Sequence, residues 1–411
     1  RYYPTSVLVT GPDIIFFWVA RMIMAGLYFR GDIPFENVYF HGMIRDETGR
    51  KMSKSLGNSP DPSDLIGEYG ADALRFTMIS LTPRGGDILF SEKQVHTGRN
   101  FANKVWNAAR LVSAASEKAG FETASSSGME PGSELSDRWI ISRAAGVTRT
   151  VGNYFERFEL NQAAKAIYDF LWHEVCDWYL EMAKERFYSA DAVARDGALM
   201  VVRMVLARSL RLLHPFMPFL TDEVWSVLSL GGASILDGGG VDQAEFPEDP
   251  LAERTMEMLT GIVEMVRNIR GEMGIHPSAG VPLYLKFAGG GAEKDAILGA
   301  RSYIFKMARV TGLLEGDVPE ADGPVATGIV GNVEVSVPLG EVIDVDVERA
   351  RLTKEIERIE QLLARSRARV DSPEFTSKAP ANIVQREREK IEQLAENAAK
   401  LRKNLSVLLG S

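Results

Sequence analysis

The chain has 411 residues, enough for two to four domains, and its 45% hydrophobic and 25% charged content is that of an ordinary soluble protein. Its single cysteine, Cys176, excludes a disulfide framework and a cysteine-based zinc cluster and fits a reducing cytoplasm; five scattered histidines offer no ligand pair at helical spacing, so no metal is expected. A formal charge of −9 argues against non-specific nucleic-acid binding but leaves room for local basic patches.

The chain opens on Arg1-Tyr2-Tyr3-Pro4, with no starting Met and no secretory pattern, which predicts a piece of a longer protein. S-V-L-V-T (6–10) predicts a short buried strand, and Gly11-Pro12-Asp13 a turn whose Asp13 caps the helix that follows. That helix, IIFFWVARMIMAGLYF (14–29), is interrupted by Arg21 and is shorter than the roughly 20 residues a membrane span needs, so it reads as a buried helix and no membrane is expected. Asn37 to His41 predicts a second strand, and strand–helix–strand at this spacing is a βαβ crossover in a parallel sheet. Ligands in such sheets sit at the carboxyl ends of strands, here Thr10-Gly11 and His41-Gly42. The basic loop G-R-K-M-S-K-S-L-G-N (49–58) comes next, either solvated surface or the contact for a polyanion.

D-P-S-D (61–64) starts a helix, with Asp61 as cap and Pro62 at the first position. Helical patterns then run to about residue 270, with Ser/Gly-rich breaks at 125–133 and 231–240; segments 137–158, 161–188 and 194–229 carry apolar residues at bundle spacing. Residues 281–287 and 328–337 predict strands, the second with a Gly331-Asn332 turn. Leu352, Ile356, Ile359, Leu363 and Val370, then Ile391, Leu394, Ala398, Leu401, Leu405 and Leu408, form two heptad seams. The two prolines of D-S-P-E-F-T-S-K-A-P (371–380) break between them and predict an antiparallel helical hairpin with arms about 40 Å long. This tail has fourteen basic and eleven acidic residues over 346–411, a basic appendage on an acidic body.

The loop at 49–58 resembles the KMSKS signature of class I aminoacyl-tRNA synthetases, and its setting, after His41-Gly42 and before E-Y-G-A-D-A-L-R-F (68–76), is similar too. N-F-A-N-K-V-W-N-A-A-R-L (100–111) resembles the helix leading into an anticodon-binding bundle, and H-P-F-M-P-F-L-T-D-E-V-W (214–225) a bundle segment shared by the valine, isoleucine and leucine branches. T-G-P-D-I-I-F-F-W-V-A-R-M (10–22) and the coiled-coil tail with F-T-S-K-A-P (375–380) resemble the valine branch, with the isoleucine branch as the distant alternative. Pro12 and Ser59-Pro60 depart from the family pattern, and its His-Ile-Gly-His-type motif and editing insertion have no counterpart here. The resemblance implies a multidomain α/β plus all-α protein. Its expected parts are the C-terminal half of a Rossmann-like catalytic domain (1–57), a stem-contact region (58–130) and an anticodon-binding bundle (131–270). A small α+β module (271–345) and a coiled-coil tRNA-binding arm (346–411) complete it.

The activity so implied is ATP-dependent activation of valine, with Mg2+ carried by the nucleotide, and transfer to tRNA(Val) by a monomeric cytoplasmic ligase. Lys51, Ser53, Lys54 and Ser55 would donate to the leaving pyrophosphate. His41 and Gly42 would face adenine or ribose, His41 alternatively being satisfied by a neighbouring carbonyl. Gly11, Asp13 and Trp18 would border the aminoacyl-adenylate, with core packing equally open to Trp18. Arg99, Asn103, Lys104, Trp106 and Asn107 are the candidates for anticodon contacts, Trp106 being the one best suited to scaffolding instead. Arg365, Arg367, Arg369 and Lys378 are the candidates for phosphate contacts near the arm's tip. By itself the chain would bind tRNA without activating valine.

Overall fold

The computed structural model describes residues 2–82, 85–121, 134–232, 234–238, 246–319, 323–340, 342–372, 375 and 380–409, with the side chains of Lys54 and Ala381 outside the description. The chain divides into two compact units, Arg1–Glu253 and Arg254–Ser411.

The first unit begins with the expected βαβ crossover. Strand β1 (Thr5–Thr10) pairs in parallel with β2 (Phe35–Phe40), from Thr5 opposite Phe35 to Thr10 opposite Phe40. A 3-10 turn (Pro12–Ile14), a π-helical turn (Ile15–Val19) and helix α1 (Ala20–Arg30) join them. Three sequence expectations fail here. Strand β1, expected to be buried, buries only Thr10, with Val9 56% exposed. Asp13 lies within the first turn and makes no capping bond, the cap position being Gly11. The apolar helix is also largely exposed: Phe16 is 81% and Tyr28 83% accessible, and only Val19 and Gly26 are buried between residues 14 and 30. By length and composition Pro12–Arg30 could cross a membrane, with 11% of its window buried. Its ends are nevertheless tied to two paired parallel strands, the position of a crossover helix. Apolar residues all round a helix predict cover all round, and β1 and β2 cover only one side.

Short parallel strands β3 (Ile44–Arg45) and β4 (Ile88–Leu89) flank the signature loop region. Asp61 accepts the Ser63 N–H at 2.8 Å and starts α2 (Pro62–Tyr69), followed by α3 (Ala71–Ser80) and the 28-residue α4 (Glu92–Ala119). Leu65, Tyr69, Ala73, Phe90 and Val95 form a core onto which Met52 of the signature loop packs. The bundle consists of α5 (Leu135–Glu156), α6 (Leu160–Asp169), a π-helical segment (Phe170–Tyr179), α7 (Leu180–Phe187), α8 (Ala192–Leu213) and α9 (Pro218–Val227).

The helical segment expected over 194–229 is two helices parted at His214–Met217, and H-P-F-M-P-F is the entry to the second, with Pro218 at the first position of α9. The break is bound from α3. Asp72 accepts the N–H groups of Phe219 and Leu220 at 3.4 and 2.6 Å, and Arg75 donates to the carbonyls of Pro215 and Phe216 at 3.0 and 3.4 Å. Burial pushes the Asp72 carboxyl up, against those two donors and the nearby Arg75 and His214.

In the second unit α10 (Pro250–Glu272), which begins before the boundary, leads to a four-stranded sheet of order β6-β5-β8-β7. Strand β5 (Val281–Phe287) is parallel to β6 (Val310–Glu315) and antiparallel to β8 (Val333–Pro338), with α11 (Ala292–Gly299) and α12 (Arg301–Ala308) between β5 and β6. Strand β7 (Val325–Val330) pairs with β8 through the expected turn, where Gly331 has φ +56°. The sequence reading missed β6. Helices α13 (Val345–Asp371) and α14 (Ala381–Leu409) make the hairpin, burying Leu352, Ile356 and Ile359 on one arm and Ala398 and Leu408 on the other, with an Arg402–Glu360 ion pair across it.

Candidate nucleotide site and signature loop

A cavity of about 570 Å³ opens at the carboxyl end of β2, lined by Val9, Tyr39, His41, Gly42, Lys51 and Met52 among others. Its walls are mostly apolar, which suits a flat heteroaromatic ring, and Lys51 supplies a cation. Nδ1 of His41 lies 3.0 Å from the Gly42 carbonyl. Since a carbonyl only accepts, Nδ1 carries the hydrogen, and in the neutral ring Nε2 is left as an acceptor. The carbonyl partner anticipated for His41 is therefore present, and it orients the ring without using its second nitrogen.

Gly42 has a reason within the protein itself to be glycine. A Cβ there would lie 1.8 Å from the Gly86 carbonyl oxygen and 3.2 Å from Cα of Asp87, so protein backbone already occupies the space. Asp87 fixes the same strip by accepting the Met43 N–H at 3.1 Å and the Arg45 Nε–H. Gly42→Ala is expected to lower stability by about 1–3 kcal/mol through overpacking, read as a fall in the urea midpoint of the first unit. A change within 0.5 kcal/mol would show that the strip yields freely.

Gly11 stands beside this cavity, since a Cβ on it would meet Asp13 Oδ1 at 2.7 Å and His41 Cε1 at 3.7 Å. Gly11, Asp13 and His41 are thus brought together, whereas Trp18 is 43% exposed on the π-helical turn and takes no part in the core. In the loop, the Ser53 and Ser55 hydroxyl oxygens lie 3.1 Å apart, and Ser53 Oγ accepts the Leu56 N–H at 3.3 Å. Lys51 is exposed and its backbone bridges to Arg45. Lys54 begins a 3-10 turn, Lys54–Leu56, and its side chain lies outside the described residues. The loop's ends meet at Asp46 and Asn58, a pair the sequence reading did not single out.

Family models match three separate stretches. The model for class I tRNA synthetases of the isoleucine, leucine, methionine and valine types matches residues 1–91. The anticodon-binding domain of tRNA ligase matches 137–285, and the valyl tRNA synthetase tRNA binding arm 344–409. The chain is 38% identical to the valine–tRNA ligase of Syntrophotalea carbinolica, covering 99% of this chain and 45% of that one. It is 40% identical to that of Fusobacterium nucleatum (98% and 46% covered) and 39% identical to that of Bacillus subtilis (100% and 46%). The chain belongs to the class I tRNA synthetase family. It spans about half the length of the curated relatives it matches.

The class I match at 1–91 holds the signature loop and the cavity's lining except Leu160. Beyond it, the synthetase chain does not keep all the expected polar residues of α4 on one face. Arg99, Asn103 and Asn107 are exposed at successive turns, with Trp106 half-buried beside them. Lys104 points elsewhere: it pairs with Asp177, and its Nζ lies 4.2 Å from the Trp172 ring centroid. On the arm, Arg365 and Arg367 are exposed. Arg369 is exposed too, but its side chain is engaged within the hairpin, 4.5 Å from the Phe375 ring centroid and 3.6 Å from Glu387. Lys378 lies outside the described residues.

Proposed function

We propose that the chain supplies the pyrophosphate side of an adenylate-forming site, together with tRNA-binding surfaces, in a valine–tRNA ligase. The observation that carries this reading is the signature loop at the mouth of an apolar cavity whose polar edge is His41 and Lys51. Adenine would sit against the apolar wall, with Nε2 of His41 accepting from the nucleotide. Attack of the valine carboxylate on the α-phosphorus of ATP expels pyrophosphate, on which negative charge accumulates. Ammonium groups of Lys51 and Lys54 and hydroxyls of Ser53 and Ser55 would bind that charge more strongly in the transition state than in the ground state. The nucleotide would arrive carrying its Mg2+, and the protein would work as a cytoplasmic monomer.

Combining this chain with the part of the Bacillus subtilis valine–tRNA ligase that it does not match tests the reading. Valine-dependent exchange of pyrophosphate into ATP is expected from the mixture and not from either piece. Exchange dependent on isoleucine instead, or none from a mixture shown to associate, would overturn it.

A second reading, a tRNA-binding module without activity, is favoured by the exposed apolar face of α1, which leaves the sheet open on one side. Turnover by the chain alone would exclude it. Both readings assign the arm to tRNA(Val). Arg365→Ala and Arg367→Ala are each expected to weaken tRNA binding and to lower the slope of log K against log salt by about 1. An unchanged slope in both would remove the arm's tip from the interface.

A further inference from the structure

Asp46 is the buried centre of the signature loop's base. Its Oδ1 accepts the N–H groups of Thr48 and Arg50 at 3.0 and 2.9 Å and the Thr48 hydroxyl at 2.7 Å. Its Oδ2 accepts Nε of Arg50 at 3.0 Å and Nδ2 of Asn58 at 2.9 Å. Asn58 carries the connection onward, since the same amide nitrogen lies 3.4 Å from the Lys51 carbonyl and Oδ1 accepts the Ser53 N–H at 3.0 Å. Two side chains thereby join a residue three positions ahead of the loop, Arg50, Lys51 and Ser53 within it, and its last residue.

The chemistry at each position is specific. A carboxylate only accepts, as the five donors around Asp46 require, whereas position 58 must donate to Asp46 and accept from Ser53, which an amide does. The Asn58 and Thr48 hydrogen bonds hold the Asp46 carboxyl well below the usual carboxylate range, so it is ionised at neutral pH. Gly49 and Gly57 have φ of +82° and +65°, with open space where a Cβ would stand. They serve conformation, not close packing.

We propose that Asp46 and Asn58 are positioning residues: a clasp that holds the two ends of the signature loop together and presents Lys51 to Ser55 as one preformed turn. Its consequence for catalysis rests on the function proposed above. The clasp itself is measurable without nucleotide, so either idea can fail alone.

Trypsin cleaves after Arg50, Lys51 and Lys54, which makes the loop its own reporter in the full chain. Asp46→Asn sets an amide nitrogen or a lone oxygen against Asn58, and Asn58→Asp sets two carboxylates together. Each is expected to speed nicking at these three sites about tenfold, as loss of a charge-assisted hydrogen bond shifts local opening. The double variant exchanges the roles. The new amide at position 46 keeps an oxygen for the 48–50 turn and donates to the new carboxylate at 58, which still accepts from Ser53; only the Arg50 Nε bond and the long contact to the Lys51 carbonyl are given up. Its nicking rate is expected within about threefold of the parent, a non-additive recovery that a merely destabilised loop would not show. Thermal unfolding confirms that each protein is folded, and Asn58→Ala, which adds no charge, replaces Asn58→Asp should that variant not fold. Single variants nicked at the parent rate, or a folded double variant nicked as fast as the singles, would overturn the clasp.

Discussion

Replacing Lys54 with alanine is expected to slow valine activation by about 100- to 1,000-fold, the range seen when one preorganised donor to developing charge is removed. The measurement is single-turnover adenylate formation in the two-piece system described under the proposed function, alongside valine affinity by equilibrium binding. Affinity for valine is expected to stay within about twofold, because an interaction made only with the departing pyrophosphate lowers the rate and leaves ground-state binding of the amino acid alone. Lys51→Ala is expected to cost less. Lys51 lines the cavity and its backbone belongs to the bridge with Arg45, ahead of the 3-10 turn that carries Lys54. Equal losses of rate and valine affinity in Lys54→Ala would show that Lys54 holds the pocket together and does not act on pyrophosphate.

The largest expected loss of stability comes from Asp137→Ala, in the bundle. Asp137 is fully buried on α5 and accepts the Tyr179 hydroxyl at 2.8 Å and both terminal nitrogens of Arg186 at 2.6 and 2.7 Å. Arg186 also donates to the Ser136 hydroxyl at 3.1 Å, so one guanidinium is held by neighbouring residues of α5. Removing the carboxylate takes both Asp137 bonds from a guanidinium whose side chain is 16% exposed and leaves the tyrosine hydroxyl without this acceptor. A loss of about 3–5 kcal/mol is expected, as for other buried pairs broken from one side. That is a large share of the roughly 5–15 kcal/mol that holds a typical domain folded. The urea transition of the first unit, followed by tryptophan fluorescence, reads it out. Tyr179→Phe should cost only about 1 kcal/mol, the net worth of one hydrogen bond. A loss below about 1 kcal/mol for Asp137→Ala would mean that Arg186 finds water or another acceptor at little cost.

Local rules made much of the architecture legible. The β1–α1–β2 crossover, the Asp61 cap, the Gly331 turn and the two heptad seams each depend on residues adjacent in sequence, and each is found where its pattern lies. What escaped depends on partners distant in the chain. The exposure of α1 reflects how much sheet lies beside it, which periodicity does not encode. Gly42 answers to the backbone at 86–87, and the break between α8 and α9 answers to Asp72 and Arg75, well over a hundred residues away. Lys104 shares a helix with Arg99 and Asn103 yet turns toward Asp177. Within the candidate site, loop and strand-end residues were recognisable from their setting, whereas Asp46 was not. The signal was present in D-E-T-G (46–49), an acid two residues before a hydroxyl and three before a glycine, which is the composition of an Asx turn.

The grip of α3 on the break between α8 and α9 has a mechanical meaning. The cation of Arg75 meets carbonyls of the turn between α8 and α9, while the carboxylate of Asp72 meets N–H groups that open α9 and complements the helix end it faces. Apolar surfaces can slide past one another at little cost; a joint made from oppositely directed hydrogen bonds fixes both angle and register. Helix α3, the second after the signature loop, is therefore indexed to the bundle like a key in a slot, and one of its turns sets the common reference frame for α8 and α9.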